Sequence, residues 1–204
     1  KINELVNWIE NVLGLEVKID KIYRTVLFTE AKKKYAGLKD DGVIEIVGLE
    51  AIRGDWSEVA KAAQREVVEA ILKVGVEEGV MVARRHIDNL LNQKVPLKHL
   101  IIWKQITKSI EEYGATAPHV EAAKKLIEEG WRIRPGDKVG YVIVKGAGRL
   151  YTRVKPYFKA ELNEIDWNYY VEKQVLPLCL RILEVFGIKE SDLRPSKDLT
   201  AFFQ

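Results

Sequence analysis

The chain's 204 residues are 47% hydrophobic and 31% charged, which supplies one sizeable core or two small ones. A net charge of +3 excludes calling a nucleic-acid binder from total charge, so any such reading rests on where the cations cluster. The single cysteine, Cys179, excludes a disulfide framework within the chain and suits a reducing cytosol.

No apolar run approaches the roughly 18 residues of a membrane span. The charged start KINELVNWIE does not read as a signal peptide. Together these point to a cytoplasmic location. Lys and Glu are abundant while Met and Cys occur once each, a balance that leans thermophilic.

In chain order, INELVNWIENVL places Ile2, Leu5, Val6, Ile9 and Leu13 on one helical face, and Gly14 ends that helix. LEVKIDKIYRTVLF reads as one or two strands with Val17, Ile19, Tyr23, Val26 and Phe28 as apolar positions. KKKYAGLKDDGVIEIV reads as a hairpin turning at Asp41-Gly42. From Gly48 the pattern becomes helical. Asp55 and Glu58 form an Asp-x-x-Glu capping box opening a helix that ends at Gly75. A second helix runs from Val76 toward Pro96, and HLIIWKQI follows as a strand.

PHVEAAKKLIEEG has Pro in the first helical turn and Gly just past the end. DKVGYVIVKGAGRLYTRV suggests two strands around a glycine-rich bend. A last helix carries Pro177 inside, which predicts a kink or break. The final stretch from Ile188 reads as a mobile tail. The first thirty residues, one helix and a strand or two, cannot cover their own apolar faces. They pack on the helical part or complete a sheet that lies elsewhere.

Catalytic signals are absent from the pattern. His86, His99 and His119 lie far apart, without metal-ligand spacing to each other or to Cys179. There is no Gly-x-Ser-x-Gly elbow, Gly-Lys-Ser/Thr phosphate loop or Cys-x-x-Cys. Outside helices, Asp40-Asp41 is the only adjacent acidic pair, and it belongs to a turn.

Two basic clusters stand out instead. On a strand, Lys32 and Lys34 would share one side and Lys33 and Tyr35 the other. Ammonium groups neutralise phosphates, and a neighbouring tyrosine can contact a sugar or base edge. A solvated edge strand guarded by lysines explains the same pattern. In VKGAGRLYTRVK, Gly146 and Gly148 let the backbone approach a ligand, Lys145 and Arg149 flank them, and Arg153 and Lys155 continue the charge. An ordinary hairpin turn accounts for those glycines equally well. Arg84, Arg85, Lys124 and Lys125 read as solvated helix faces. In the tail, Leu199, Phe202 and Phe203 share one side of a helical turn. That arrangement suits docking into an apolar groove, or folding back onto the chain.

KKKYAGL, GLEAIRGDWSEVAKAAQREVVEAIL, QITKSIEEYGATAPHVEAAKKL, IRPGDKVGYVIVKGAGR and YYVEKQVLPLCLRIL occur in this order. With them the whole chain resembles the C-terminal end of archaeal family B DNA polymerases. The resemblance implies an α+β fold: the end of a palm subdomain, helix plus strands, over residues 1–30. A mainly helical thumb with a small antiparallel sheet follows over 31–190, and a flexible tail over 191–204.

It further implies that Lys32, Lys33, Lys34 and Tyr35 contact the primer–template duplex near the primer terminus. Arg53, Asp55 and Trp56 match a thumb motif, with Gly54 where the family has a second arginine. Lys145, Gly146, Gly148 and Arg149 match the loop that lies along the DNA backbone. Ser196, Leu199, Phe202 and Phe203 are similar to a sliding-clamp-binding box, with serine in its glutamine position.

The family's catalytic blocks, with the Mg²⁺-binding aspartates, have no counterpart here. The implied protein is therefore the small subunit of a split polymerase, or a piece of a longer one. A start inside the palm after the catalytic blocks favours the split. Its implied partners are a catalytic large subunit carrying Mg²⁺, primer–template DNA and a sliding clamp. It is inactive as a nucleotidyltransferase alone. A non-catalytic adaptor binding DNA and clamp is the alternative.

Overall fold

The computed structural model describes residues 1–52 and 56–194. Helix α1 spans Ile2–Leu13 and ends at Gly14, whose left-handed backbone (φ 65°) donates its N–H to Glu10 O. The periodicity is as predicted, but no α1 residue is buried. Ile2, Leu5, Trp8, Val12 and Leu13 lie exposed. The strands expected over Val17 and Ile19 do not form: residues 14–23 have no regular structure, and pairing begins only at β1 (Thr25–Phe28). A strand needs a neighbour for its backbone groups. Leu15, Ile19 and Ile22 stay exposed without one.

Strands β1, β2 (Tyr35–Leu38) and β3 (Ile44–Val47) form an antiparallel sheet in that order. Phe28 pairs with Tyr35, which in turn pairs with Val47. The β2–β3 turn is the predicted one. Gly42 takes φ 84°, Lys39 N–H donates to Val43 O at 2.9 Å, and Asp41 Oδ1 accepts from Val43 N–H at 2.9 Å. Ala36, Gly37 and Leu38 are buried as the sheet packs on α2 (Glu58–Lys73).

Helix α2 pairs with α3 (Val76–Leu91) through the Val74-Gly75 link. The expected cap Asp55 lies outside the described residues. The N-cap is Ser57, two positions later. Its N–H is satisfied by buried Gln174 Oε1 at 3.0 Å, a long-range partner in place of a local capping box.

The short α4 (Leu97–Leu100) leads into β4 (Ile102–Gln105), and α5 spans Pro118–Glu128. Strands β5 (Lys138–Ile143) and β6 (Val154–Pro156) complete a second antiparallel sheet in the order β4-β5-β6, in keeping with the expected α+β class with small antiparallel sheets. Helix α5 packs on β5 and β6. The last helical region runs from α6 (Trp167–Tyr169) through a π-helical segment (Tyr170–Val175) into α7 (Leu176–Leu183).

The break predicted at Pro177 thus takes the form of a widened winding. Leu176 N–H donates to Val171 O, five residues back, just before the proline that can donate nothing. The segment read as a mobile tail is ordered at its start. Helix α8 (Glu190–Leu193) buries Leu193 fully, and Arg84 Nε donates to Asp192 O at 2.7 Å. Arg84 therefore anchors this segment and is not merely a solvated side chain. Lys125 likewise reaches Val154 O at 2.7 Å.

A continuous apolar core includes Leu49, Val67, Ile87, Ile143, Leu178 and Ile182, with Cys179 buried among them. Burial pushes the Cys179 thiol up to about 12, so it packs as a small hydrophobe. Through this core runs a polar seam centred on fully buried Gln64. Its Oε1 accepts from Ala51 N–H at 2.7 Å. Its Nε2 donates to Leu178 O at 3.1 Å and Glu50 Oε2 at 3.2 Å.

Replacing Gln64 by leucine keeps the bulk but strands these groups without water. The variant should lose about 2–3 kcal/mol of stability, read as a lower urea midpoint.

Candidate nucleic-acid interface

The three lysines do not lie on a strand. They occupy the β1–β2 connection, closed by Thr29 N–H donating to Lys34 O at 3.2 Å and Lys34 N–H to Ala31 O at 3.3 Å. The Thr29 hydroxyl also donates to Lys34 O at 3.1 Å. Alternation across a strand therefore does not decide where they point. Lys33 takes a left-handed backbone (φ 61°), which fits a tight turn and not an extended run. The turn is seated on Gly48, where a Cβ would stand 2.3 Å from Lys33 O.

Lys32 and Lys33 are exposed and have no ion-pair partner among the described residues. Lys34 turns inward and donates to Glu50 Oε1 at 2.6 Å. The Glu50 side chain is only 1% exposed. Arg181 on α7 donates to the same carboxylate, and Gln64 serves its other oxygen. Burial pushes the carboxyl upward, but these donors outweigh it and hold Glu50 at about 2. Thr29, Glu30, Ala31, Lys34, Glu50 and Arg181 contribute to the walls of a cleft of about 330 Å³ at the foot of the turn.

Glu50 and Arg181 were not singled out from the sequence, because they lie 131 positions apart. The one local hint is a carboxylate set between apolar Leu49 and Ala51.

Tyr35 is half-buried beside the turn. Its ring meets Phe28 at 5.9 Å and Tyr23 at 6.2 Å between centroids. Tyr23 donates to Glu45 Oε2 at 3.1 Å. Lys21 and Lys39 also bind that carboxylate, and the Lys21 ammonium is the main cause holding it at about 2.

The second basic site lies between β5 and β6, on the other sheet. Gly146 (φ 152°) and Gly148 (φ 96°) take backbone conformations that favour glycine. Lys145 Nζ donates to Asn163 O at 3.0 Å, and the backbone N–H of Lys145 to Glu164 O at 2.7 Å. Arg149 is exposed, with its side chain unpaired among the described residues.

The charge does not continue along the loop as expected. Arg153 is paired with Asp166, and Lys155 with Glu164. The two basic sites sit on sheets that share no strand. Arg53 and the tail residues Ser196, Leu199, Phe202 and Phe203 lie outside the described residues. Among the described residues, no group of three or more His, Cys, Asp or Glu could hold a metal ion. Among the described residues, no helix is long and apolar enough to cross a membrane.

An α+β chain whose two sheets each carry a loop with exposed cations is similar to part of a nucleic-acid polymerase. The sequence pattern of DNA polymerase family B matches residues 1–186, and the chain belongs to that family. It is 49% identical over 195 residues to DNA polymerase 2 of Aeropyrum pernix, covering 95% of this chain and 24% of that one. It is 42% identical over 202 residues to a DNA polymerase of Desulfurococcus sp., covering 97% and 26%.

The structure of the family B DNA polymerase from the hyperthermophilic archaeon Pyrobaculum calidifontis superposes with a TM-score of 0.77 at 47% identity. That match covers 92% of this chain and 25% of that one. The chain thus spans about a quarter of the length of these relatives.

Because Glu50 titrates far below an ordinary glutamate, the unfolded chain binds its proton first as pH falls. Its contribution to stability is complete above about 4.5 and is lost as pH drops toward about 2. The stability difference between the parent chain and Glu50→Gln should be large at neutral pH and shrink across that window, as measured by urea unfolding at each pH.

Proposed function

We propose that this chain is the thumb-bearing small subunit of a split family B DNA polymerase. In this reading residues 1–30 close the palm of a catalytic large subunit, and residues 31–190 form the thumb that grips primer–template duplex. Residues 191–204 carry a sliding-clamp-binding motif at Ser196, Leu199, Phe202 and Phe203. Mg²⁺ and the nucleotidyl-transfer chemistry belong to the large subunit. Positioning the primer end is this chain's contribution, and phosphoryl transfer relies heavily on such positioning.

The observation that carries the proposal is the lysine turn. Lys32 and Lys33 are exposed and without ion-pair partners among the described residues, on a backbone clasped to Glu50 through Lys34. Free cations on a fixed turn suit phosphates at a fixed spacing. Tyr35 supports the turn from beside it, and Arg149, Lys145 and the open backbone at Gly146 and Gly148 offer a second contact. Arg53 is included on the resemblance. The uncovered apolar side of α1 suits a helix that packs against the large subunit's palm.

With Lys32→Ala and Lys33→Ala combined, duplex affinity should fall at low salt. The slope of log affinity against log salt should flatten by about two, near 0.9 per lost phosphate contact. An unchanged slope in fluorescence anisotropy would overturn the assignment. Trp8→Asp, on an exposed α1 position, should abolish co-purification with the large subunit and the synthesis it restores, while leaving this chain's circular dichroism unchanged. Template copying by the purified chain alone would refute the division of labour.

A further inference from the structure

We infer that a cleft on the second sheet is a stacking site for single-stranded nucleic acid. Four rings run along it in unbroken contact. Trp103 on β4 meets Tyr157 at 5.4 Å, Tyr157 meets Phe158 at 5.4 Å, and Phe158 meets Trp131 at 5.6 Å. All four line one cleft of about 380 Å³. Trp103 is 41% exposed, Phe158 48% and Trp131 54%. These rings have fixed neighbours yet remain about half open to solvent.

The arrangement is built into the strand beneath it. A Cβ at Gly140 would stand 2.8 Å from the Trp103 ring and 2.9 Å from the Tyr157 ring. Glycine inside a strand weakens it and often marks a close approach. Here the approach is that of two aromatic rings lying across β5.

Charge selects the occupant. Arg132 and Lys138 line the same cleft, both exposed and without ion-pair partners among the described residues. Asp137, the one carboxylate among the lining residues, is committed to the Arg134 N–H at 2.7 Å. An apolar protein partner would leave two cations without counter-charge. A single-stranded nucleic acid offers flat π-faces to the rings and phosphates to the cations. Duplex DNA keeps its base faces stacked inside, so the cleft discriminates in favour of the single strand. This site is separate from the lysine turn and stands whether or not that turn binds duplex.

The test uses the full chain with a fluorescein-labelled thymidine oligonucleotide of about 16 nucleotides. A blunt duplex and an abasic oligonucleotide of equal length serve as comparisons. Trp131→Ala and Phe158→Ala should each weaken single-strand binding about tenfold or more, with duplex binding and circular dichroism unchanged. The abasic strand should bind the parent chain as weakly as the thymidine strand binds the variants.

Arg132→Ala with Lys138→Ala should flatten the single-strand salt slope by more than one. Lys32→Ala with Lys33→Ala should leave single-strand binding intact, which separates this site's failure from that of the duplex reading. Unchanged single-strand affinity in the ring variants, equal binding of the abasic strand, or parallel loss of duplex binding would each overturn the inference. So would a dimer in sedimentation that dissociates on Trp131→Ala, which assigns the face to a second copy.

Discussion

The carboxylate of Glu50 is the constraint around which the basic turn is organised. A buried charge costs several kcal/mol in lost hydration, and removing one partner of a buried pair costs more than the pair contributes. Glu50 therefore needs its donors where they are: Lys34 from the turn, Arg181 from α7 and Gln64 from α2. Because Lys34 is drawn inward, the backbone that follows Lys33 is held against Gly48. Lys32 and Lys33 are left facing solvent. One ion cluster thus joins the first sheet to the helical core and sets which lysines remain available.

The second basic loop achieves order by a different route. Its cations at 153 and 155 are neutralised locally by Asp166 and Glu164, and Val144 and Lys145 are tied by backbone bonds to Arg153 and Glu164. What remains is a glycine-bearing loop with Arg149 at its exposed end. The buried Tyr170 hydroxyl accepts from Ile143 N–H at 3.2 Å. That bond fastens this sheet to the π-helical segment, as Glu50, held by both Lys34 and Arg181, links the lysine turn to α7. In both places the free cations are few and the buried or half-buried charges beneath them are paired. This is the arrangement expected where charge must be presented without self-repulsion loosening the loop.

The N-terminal region obeys the opposite logic. Helix α1 has regular winding and a closed C-terminus, yet buries nothing. The apolar residues of 15–28 leave only Leu27 fully inside. Helical winding follows from local backbone preferences and spacing, whereas burial requires a surface to meet. The same distinction applies to the aromatic cleft. Gly140 makes room for its rings, and among the described residues Trp103, Trp131 and Phe158 stay exposed.

Local chemistry was legible in the residues themselves. The period of α1, the Asp41-Gly42 turn, the proline-led start of α5, the β5 and β6 strands about a glycine-rich bend, and the buried Cys179 all depend on near neighbours. The ordered motifs that resemble family B polymerases were equally legible, because a family pattern resides in the string. Tertiary structure decided whatever depends on a distant partner. It left residues 14–23 without a strand, capped α2 through Gln174 and turned the Pro177 break into a π-helical stretch. It took Lys34 out of the exposed cluster and assembled four rings from β4, the loop after α5 and the segment after β6. The physical reason is that spacing along a chain fixes which side chains share a face over a few residues. Burial, ion pairing and ring contact are set by groups many tens of positions away.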